Sequence, residues 1–330
     1  MVRAVAGPGG QPVIPGPLTW HSAVTAWQFA PLVNSGLIVA AVGYLLGAAR
    51  ARRRGGRLWP AGRTAAFLLG LCVIAVATQS SVGVYDDVLF SVHMVQHVLL
   101  IMVAPPLLVY GRPVTLALHS VRNPLHARIK QVVRSRLAAA VTWPPAVTAA
   151  YCAVVAVSHT PPVMDLVLRD GAAHDTEHGV YLLAGYLFFL PVVGSEPIRW
   201  RVSIAGRYLM LLAAMTTDSF TGIVFTFQSG EVFPPYASTG RTWGPGLVPD
   251  LHLGGLVMLI GSDIAMTAVA LALAARFYRD GLAAARGPRT MRSPAGPGAD
   301  PEAARLADYN AYLERISRPG AGPPDGSRGT

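Results

Sequence analysis

Two pairs of histidines stand four residues apart: His93 and His97 in the run Ser91-Val-His-Met-Val-Gln-His97, and His174 and His178 in His174-Asp-Thr-Glu-His178. Residues at that spacing share one face of a helix. Two such pairs on different helices can present four imidazoles to one point, and neutral imidazole is a common ligand for copper, zinc and iron. Met94 follows His93, and Met164 lies in a connecting segment. Thioether sulfur is a soft ligand that favours Cu(I). His159 closes one apolar run and His252 opens another. The candidate metal ligands are therefore His93, His97, His174 and His178, with His252 as a further one. The plainer alternative is that each is an interfacial residue at a helix end, and methionine alone means little in an apolar helix. Asp86, Asp87, Asp165, Asp170, Asp175, Glu177, Glu231 and Asp250 are either a solvated anionic rim or groups that attract cations and orient ligating imidazoles.

The elements that must position these residues are transmembrane helices. The chain is 52% hydrophobic and 13% charged, about half the charge of a usual soluble domain. Seven apolar stretches near the length of about twenty residues needed to span a bilayer run over Pro31–Ala49, Thr64–Gly83, Val88–Tyr110, Leu137–Ser158, Glu177–Gly194, Gly206–Phe227 and Leu251–Ala275. The expected fold is an all-α, polytopic bundle of about seven transmembrane helices, with a kink at Pro105-Pro106. The net charge of +10 does not point to nucleic acid. Its arginines sit in short loops between apolar runs, as topology signals do. Clusters follow the first, third, fifth and seventh spans, whereas the other face carries Arg3, Arg169 and Arg241. The positive-inside rule then places the N-terminus outside and the C-terminus in the cytoplasm. Cys72 and Cys152 fall inside apolar runs, so no disulfide framework is expected. No cleavable signal peptide is read in the Gly/Pro-rich start, and the first span is expected to direct insertion.

Three regions follow: residues 1–30 as an extracytoplasmic segment, 31–275 as the transmembrane domain, and 276–330 as a cytoplasmic, largely disordered tail. Within that tail Asp300, Pro301 and the spacing of Leu306, Tyr309, Leu313 and Ile316 predict a short amphipathic helix over 301–316. On this topology His119 and His126 are cytoplasmic. His21, His93, His97, His159, His174, His178 and His252 lie at or near the outer face. His97 is about 10 Å down its helix from that face, at 1.5 Å per residue. Asp218 and Asp263 fall near the middle of the last two spans. They read as an ion path, a proton relay or internal hydrogen bonds.

The stretch from Ser91 through His93, His97, Pro105-Pro106 and Gly111 to Pro113 resembles the signature of the polytopic CtaG-type cytochrome c oxidase assembly factors. His174-x-x-x-His178 followed by Gly185-Tyr-Leu-Phe-Phe-Leu-Pro191, and Asp250-Leu-His252-Leu-Gly254-Gly255-Leu-Val-Met258, are similar to the same family in the expected order. The resemblance covers roughly Leu32 to Ala275. It implies a non-enzymatic, seven-helix factor of the cell membrane, needed to form active haem–copper oxidase through copper delivery to an oxidase subunit in the same bilayer. As read, the chain is a stand-alone member without the copper-transport domain some relatives carry. Bound copper, with Cu(I) favoured, is the expected cargo. A b-type haem protein with His97 and His178 as axial ligands is one alternative. A copper or proton-coupled transporter using Asp218 and Asp263 is another.

Overall fold

The structure, a computed structural model, describes residues 15–55, 59–285 and Tyr309. Among the described residues it contains helices and no strand. The amphipathic helix expected over 301–316 lies outside them, apart from an exposed Tyr309. The chain divides into two units, Met1–Ala274 and Ala275–Thr330. The main helices are α1 (Pro31–Gly55), α2 (Ala61–Gln79), α3 (Phe90–Val98), α4 (Ala104–Tyr110), α5 (Pro113–Ser120), α6 (Pro144–Ser158), α7 (Pro161–Arg169), α8 (Gly171–Val193), α9 (Ile204–Thr226), α10 (Leu247–Leu256) and α11 (Ser262–Ala285). Residues Ala275–Ala285 of α11 belong to the second unit, where Arg276 Nε lies 3.9 Å from Asp280 Oδ2.

Six helical stretches among the described residues are long and apolar enough to cross a bilayer, and a bent pair, α6 with α7, makes up to seven. The protein is thus a multi-pass membrane protein. Leucine, isoleucine and valine side chains point outward along these stretches, Leu32 (88% exposed) and Val39 (72%) on α1 among them. Such a surface suits hydrocarbon as solvent. The expected fourth span, Leu137–Ser158, is not one helix. Residues Arg136–Val141 form a separate short helix, and α6 begins at Pro144. At 15 residues, α6 is about 22 Å long, short of the roughly 30 Å hydrocarbon core. It turns into α7 through a bend of 74°. The cause is the pair of Pro-Pro dipeptides, Pro144-Pro145 and Pro161-Pro162, which occupy the first positions of α6 and α7. A proline costs no hydrogen bond there but forces the preceding residue out of the helical region. Trp143 and Thr160 are accordingly extended.

Pro105 reshapes the third span. A proline cannot donate to the carbonyl four residues before it, here Ile101. The helix answers with a π-helical turn, Leu99–Val103, between α3 and α4. The Ile101 carbonyl faces Gly185 on α8, so closely that a Cβ at Gly185 would overlap it. A second close approach joins α9 to α10. A Cβ on Gly222 would sit 2.7 Å from the Gly255 carbonyl oxygen, and one on Gly255 would sit 2.6 Å from that of Gly222. Small residues let helix backbones touch in this way within a membrane. Gly185→Ala is therefore expected to destabilise the purified protein by about 1–3 kcal/mol, read as a lower melting temperature in detergent. Gly179→Ala on the same helix, with nothing described within 4 Å, should leave the melting temperature unchanged or slightly raised.

Two helices receive their N-terminal cap from elsewhere in the chain. At α3, Leu89 offers no side-chain cap. Asp250 of α10 accepts instead from Phe90 N (2.8 Å), Ser91 N (3.3 Å) and Ser91 Oγ (2.6 Å). At α5, Glu196 accepts from Val114 N (2.9 Å), Thr115 N (2.9 Å) and Thr115 Oγ1 (2.6 Å). Carboxylates satisfy the orphan N–H groups of a helix start and complement its dipole. The first of these caps fixes the helix that carries His93 and His97.

Candidate metal centre

The first turns of α3 and α8 lie side by side at one end of the bundle, and α6 ends beside them. His93 (0% exposed) and His97 (2%) project from α3 toward Glu177 (7%) of α8. Glu177 Oε2 is 3.6 Å from His93 Nε2 and 3.4 Å from His97 Nε2. Both ring nitrogens of His93 and His97 and both oxygens of Glu177 are buried without a hydrogen-bond partner among the described residues. Buried polar groups are nearly always paired, so six such atoms on three neighbouring side chains need an explanation. A cation supplies one. Ligands about 2.1 Å from a tetrahedral metal lie about 3.4 Å from one another, close to the two separations observed.

A second group adjoins the first. Asp86, His174 and His178 place one donor atom each within 4.8 Å of one another, as do His93, His97 and Glu177. His174 Nε2 lies 3.8 Å from Asp86 Oδ2, while its Nδ1 is 3.2 Å from Asp87 Oδ1. Asp87 thus orients the ring in the manner of a carboxylate behind a ligating histidine. His178 Nε2 donates to Gln96 Oε1 at 2.8 Å, which leaves Nδ1 as the ring's acceptor nitrogen. The Gln96 amide nitrogen donates to the Ala77 carbonyl (2.9 Å) and to Asp86 Oδ2 (2.5 Å). Gln96 lies between the two histidines of α3 in sequence, so one side chain ties the groups together. Burial pushes the Asp86 carboxyl up to about 7, against the opposing pull of His174.

The four paired histidines thus sort into two neighbouring groups, not one four-imidazole point. The His93 and His174 rings stack at 5.3 Å where the groups meet. Tyr181 stacks on His97 at 4.0 Å, and the His159 ring stands edge-on to His97 at 5.3 Å. His252 joins neither group; its Nε2 donates to the Gln228 carbonyl at 2.8 Å. His21 contacts Thr25 Oγ1 on the short helix Trp20–Thr25.

The acids divide as well. Asp86, Asp87 and Glu177 face the histidines. Asp250 caps α3, Asp170 caps α8 through Ala172 N at 2.9 Å, and Asp165 pairs with Arg169 at 2.8 Å. From sequence alone Glu177 and Asp86 read either as rim residues or as groups that attract cations and orient imidazoles, and no spacing marks Gln96 or Tyr181. In mid-bundle, Asp218 (0% exposed) accepts from Tyr151 Oη at 3.0 Å. Asp263, half-buried, accepts from Ser219 Oγ at 3.1 Å.

The family model described as cytochrome c oxidase caa3 assembly factor (Caa3_CtaG) matches residues 42–280. The chain belongs to that family. Every donor described above falls inside the matched region. Uncharacterised proteins of Mycobacterium bovis and Mycobacterium tuberculosis are each 32% identical over 313 residues, covering 92% of this chain and 46% of theirs. An uncharacterised protein of Mycobacterium leprae is 30% identical over 303 residues, 89% of this chain and 45% of its own. The chain spans somewhat under half the length of these curated relatives. No solved structure matches it.

Proposed function

We propose that this family member takes part in oxidase assembly by holding copper at the histidine-bearing end of the bundle for transfer to an oxidase subunit in the same membrane. The observation that carries this is the set of buried atoms on His93, His97 and Glu177 that have no hydrogen-bond partner among the described residues. His174, His178 and Asp86 form an adjoining station. The arginine distribution supports an extracytoplasmic position for both, with the N-terminus outside, the C-terminus and residues 276–330 in the cytoplasm, and the whole in the cell membrane. On this reading the protein is a carrier, not an enzyme. Copper is its cargo. Imidazole and carboxylate donors suit Cu(II) and Zn(II) as well as Cu(I), so this pair of groups does not choose the oxidation state. His252, tied to Gln228, is the weakest of the five histidine candidates.

The packing weighs against haem. Tyr181 covers the His97 ring, and the cavity beside it, lined by His97, His159, Asp218 and Met258 among others, is about 10 Å³. That is room for about one water. The donors also gather at one end of the bundle, which favours capture and hand-over above transport. Copper per chain should be measured on purified wild type, His97→Ala and His178→Ala. Both variants are expected to retain less copper than wild type. Equal copper in all three would end the metal reading.

A further inference from the structure

Met94 of α3 and His159 at the end of α6 lie outside both donor groups, and their contact is chemically incomplete. His159 Nδ1 is 2.7 Å from the Val155 carbonyl oxygen. Ser158 Oγ is farther from the same nitrogen, at 3.2 Å, and is 2.6 Å from Tyr181 Oη. A hydroxyl can accept as well as donate, whereas a carbonyl can only accept, so the shorter Val155 contact places the ring proton on Nδ1. The neutral ring then carries a bare lone pair at Nε2. That atom faces Met94 Sδ at 3.3 Å, and a thioether also has lone pairs and no proton to give. Two acceptors therefore face each other at residues 5% and 0% exposed. A second proton on His159 would instead bury an imidazolium against a carbonyl and a thioether, with no carboxylate paired to it among the described residues, which is costly.

A soft cation satisfies both lone pairs. Imidazole with thioether is a donor set for Cu(I), whereas the carboxylate-bearing groups nearby are harder. We propose that Met94 Sδ and His159 Nε2 form a separate inner site for a soft monovalent cation, Cu(I) or its redox-silent analogue Ag(I). With bonds of about 2.0 and 2.3 Å, the observed separation gives a bent arrangement that leaves a third position. Met102 and Met258 line the small cavity at His159. Methionine is flexible enough to close on an ion or open around it. Gly254 of α10 makes the room, since a Cβ there would lie 3.1 Å from Met94 Cγ. The biological meaning rests on the copper reading above. It assigns the choice of Cu(I) to this inner pair and leaves divalent ions to the histidine–carboxylate groups. No electron transfer is involved.

The test uses the full chain with Cys72→Ala and Cys152→Ala, so that no thiol competes. Loaded anaerobically with Cu(I), it should show a sulfur neighbour at about 2.3 Å by X-ray absorption. Met94→Leu should lose that sulfur and bind Ag(I) about 100-fold more weakly while keeping Zn(II) affinity, which also reports that it is folded. His159→Phe, on a different helix, should weaken Ag(I) binding likewise. Glu177→Gln should do the reverse, binding Zn(II) more weakly and keeping Ag(I), so the two sites fail separately. No sulfur neighbour in the parent, or parental Ag(I) affinity in both Met94→Leu and His159→Phe, would overturn the proposal.

Discussion

Glu177→Gln is expected to bind Zn(II) or Cu(II) about 100-fold more weakly than the parent chain, while melting at the same or a higher temperature without metal. The two effects have one cause. Glu177 is the anionic donor facing His93 and His97, and its oxygens are buried with no hydrogen-bond partner among the described residues. An amide is a poor ligand by comparison. A buried carboxylate without a hydrogen-bond partner is a burden on the metal-free protein, so its neutral isostere removes a desolvation cost. Sites that trade stability for function show this opposition of sign. Titration calorimetry with metal and thermal melts without it would check both halves. A variant with parental affinity would show that Glu177 is not a ligand.

The second large effect is expected at Asp250, which belongs to neither donor group. Asp250→Ala strips three hydrogen bonds from the start of α3 and leaves Arg241, whose Nη2 is 3.9 Å from Asp250 Oδ2, without that counter-charge. All of this lies in a part of the protein where Asp250 is 2% exposed. Breaking a buried charge pair by removing one partner costs about 3–5 kcal/mol, and buried N–H groups left unsatisfied add to it. The expected result is a much lower melting temperature in detergent. Metal binding should weaken as well, because His93 follows only two residues after Ser91. Asp250→Asn, which keeps acceptor capacity, should fall between Asp250→Ala and the parent. An Asp250→Ala melting curve that overlays the parent's would contradict the role given to this cap.

These residues also show how far the sequence could be read. The histidine pairs at four-residue spacing were visible because helical geometry alone puts them on one face, and the apolar stretches fixed the helices that carry them. The partners of those faces were not visible. Glu177 lies three residues after His174, about 60° around the helix on the side away from His178. One helix can therefore send its histidines to Asp86 and its glutamate to α3. Nothing local distinguishes that from a solvated rim. Asp86 and Asp250 reach their partners across the fold, so their roles depend on packing that spacing does not encode. The fourth span is the opposite case. Its Pro144-Pro145 and Pro161-Pro162 dipeptides signalled the breaks, but hydropathy averaged over the segment hid them. The kink expected at Pro105 takes the form of a π-turn just before it, since the strain falls on the carbonyl four residues back.

Metal binding through His93, His97 and Glu177 requires α3 and α8 to share one cation. Crystals of the full chain soaked with copper, with anomalous differences collected at the copper edge, address it most directly. A peak is expected about 2.0–2.2 Å from Nε2 of both histidines and from a Glu177 oxygen. A map without that peak, with the three side chains joined by ordered water, would contradict it.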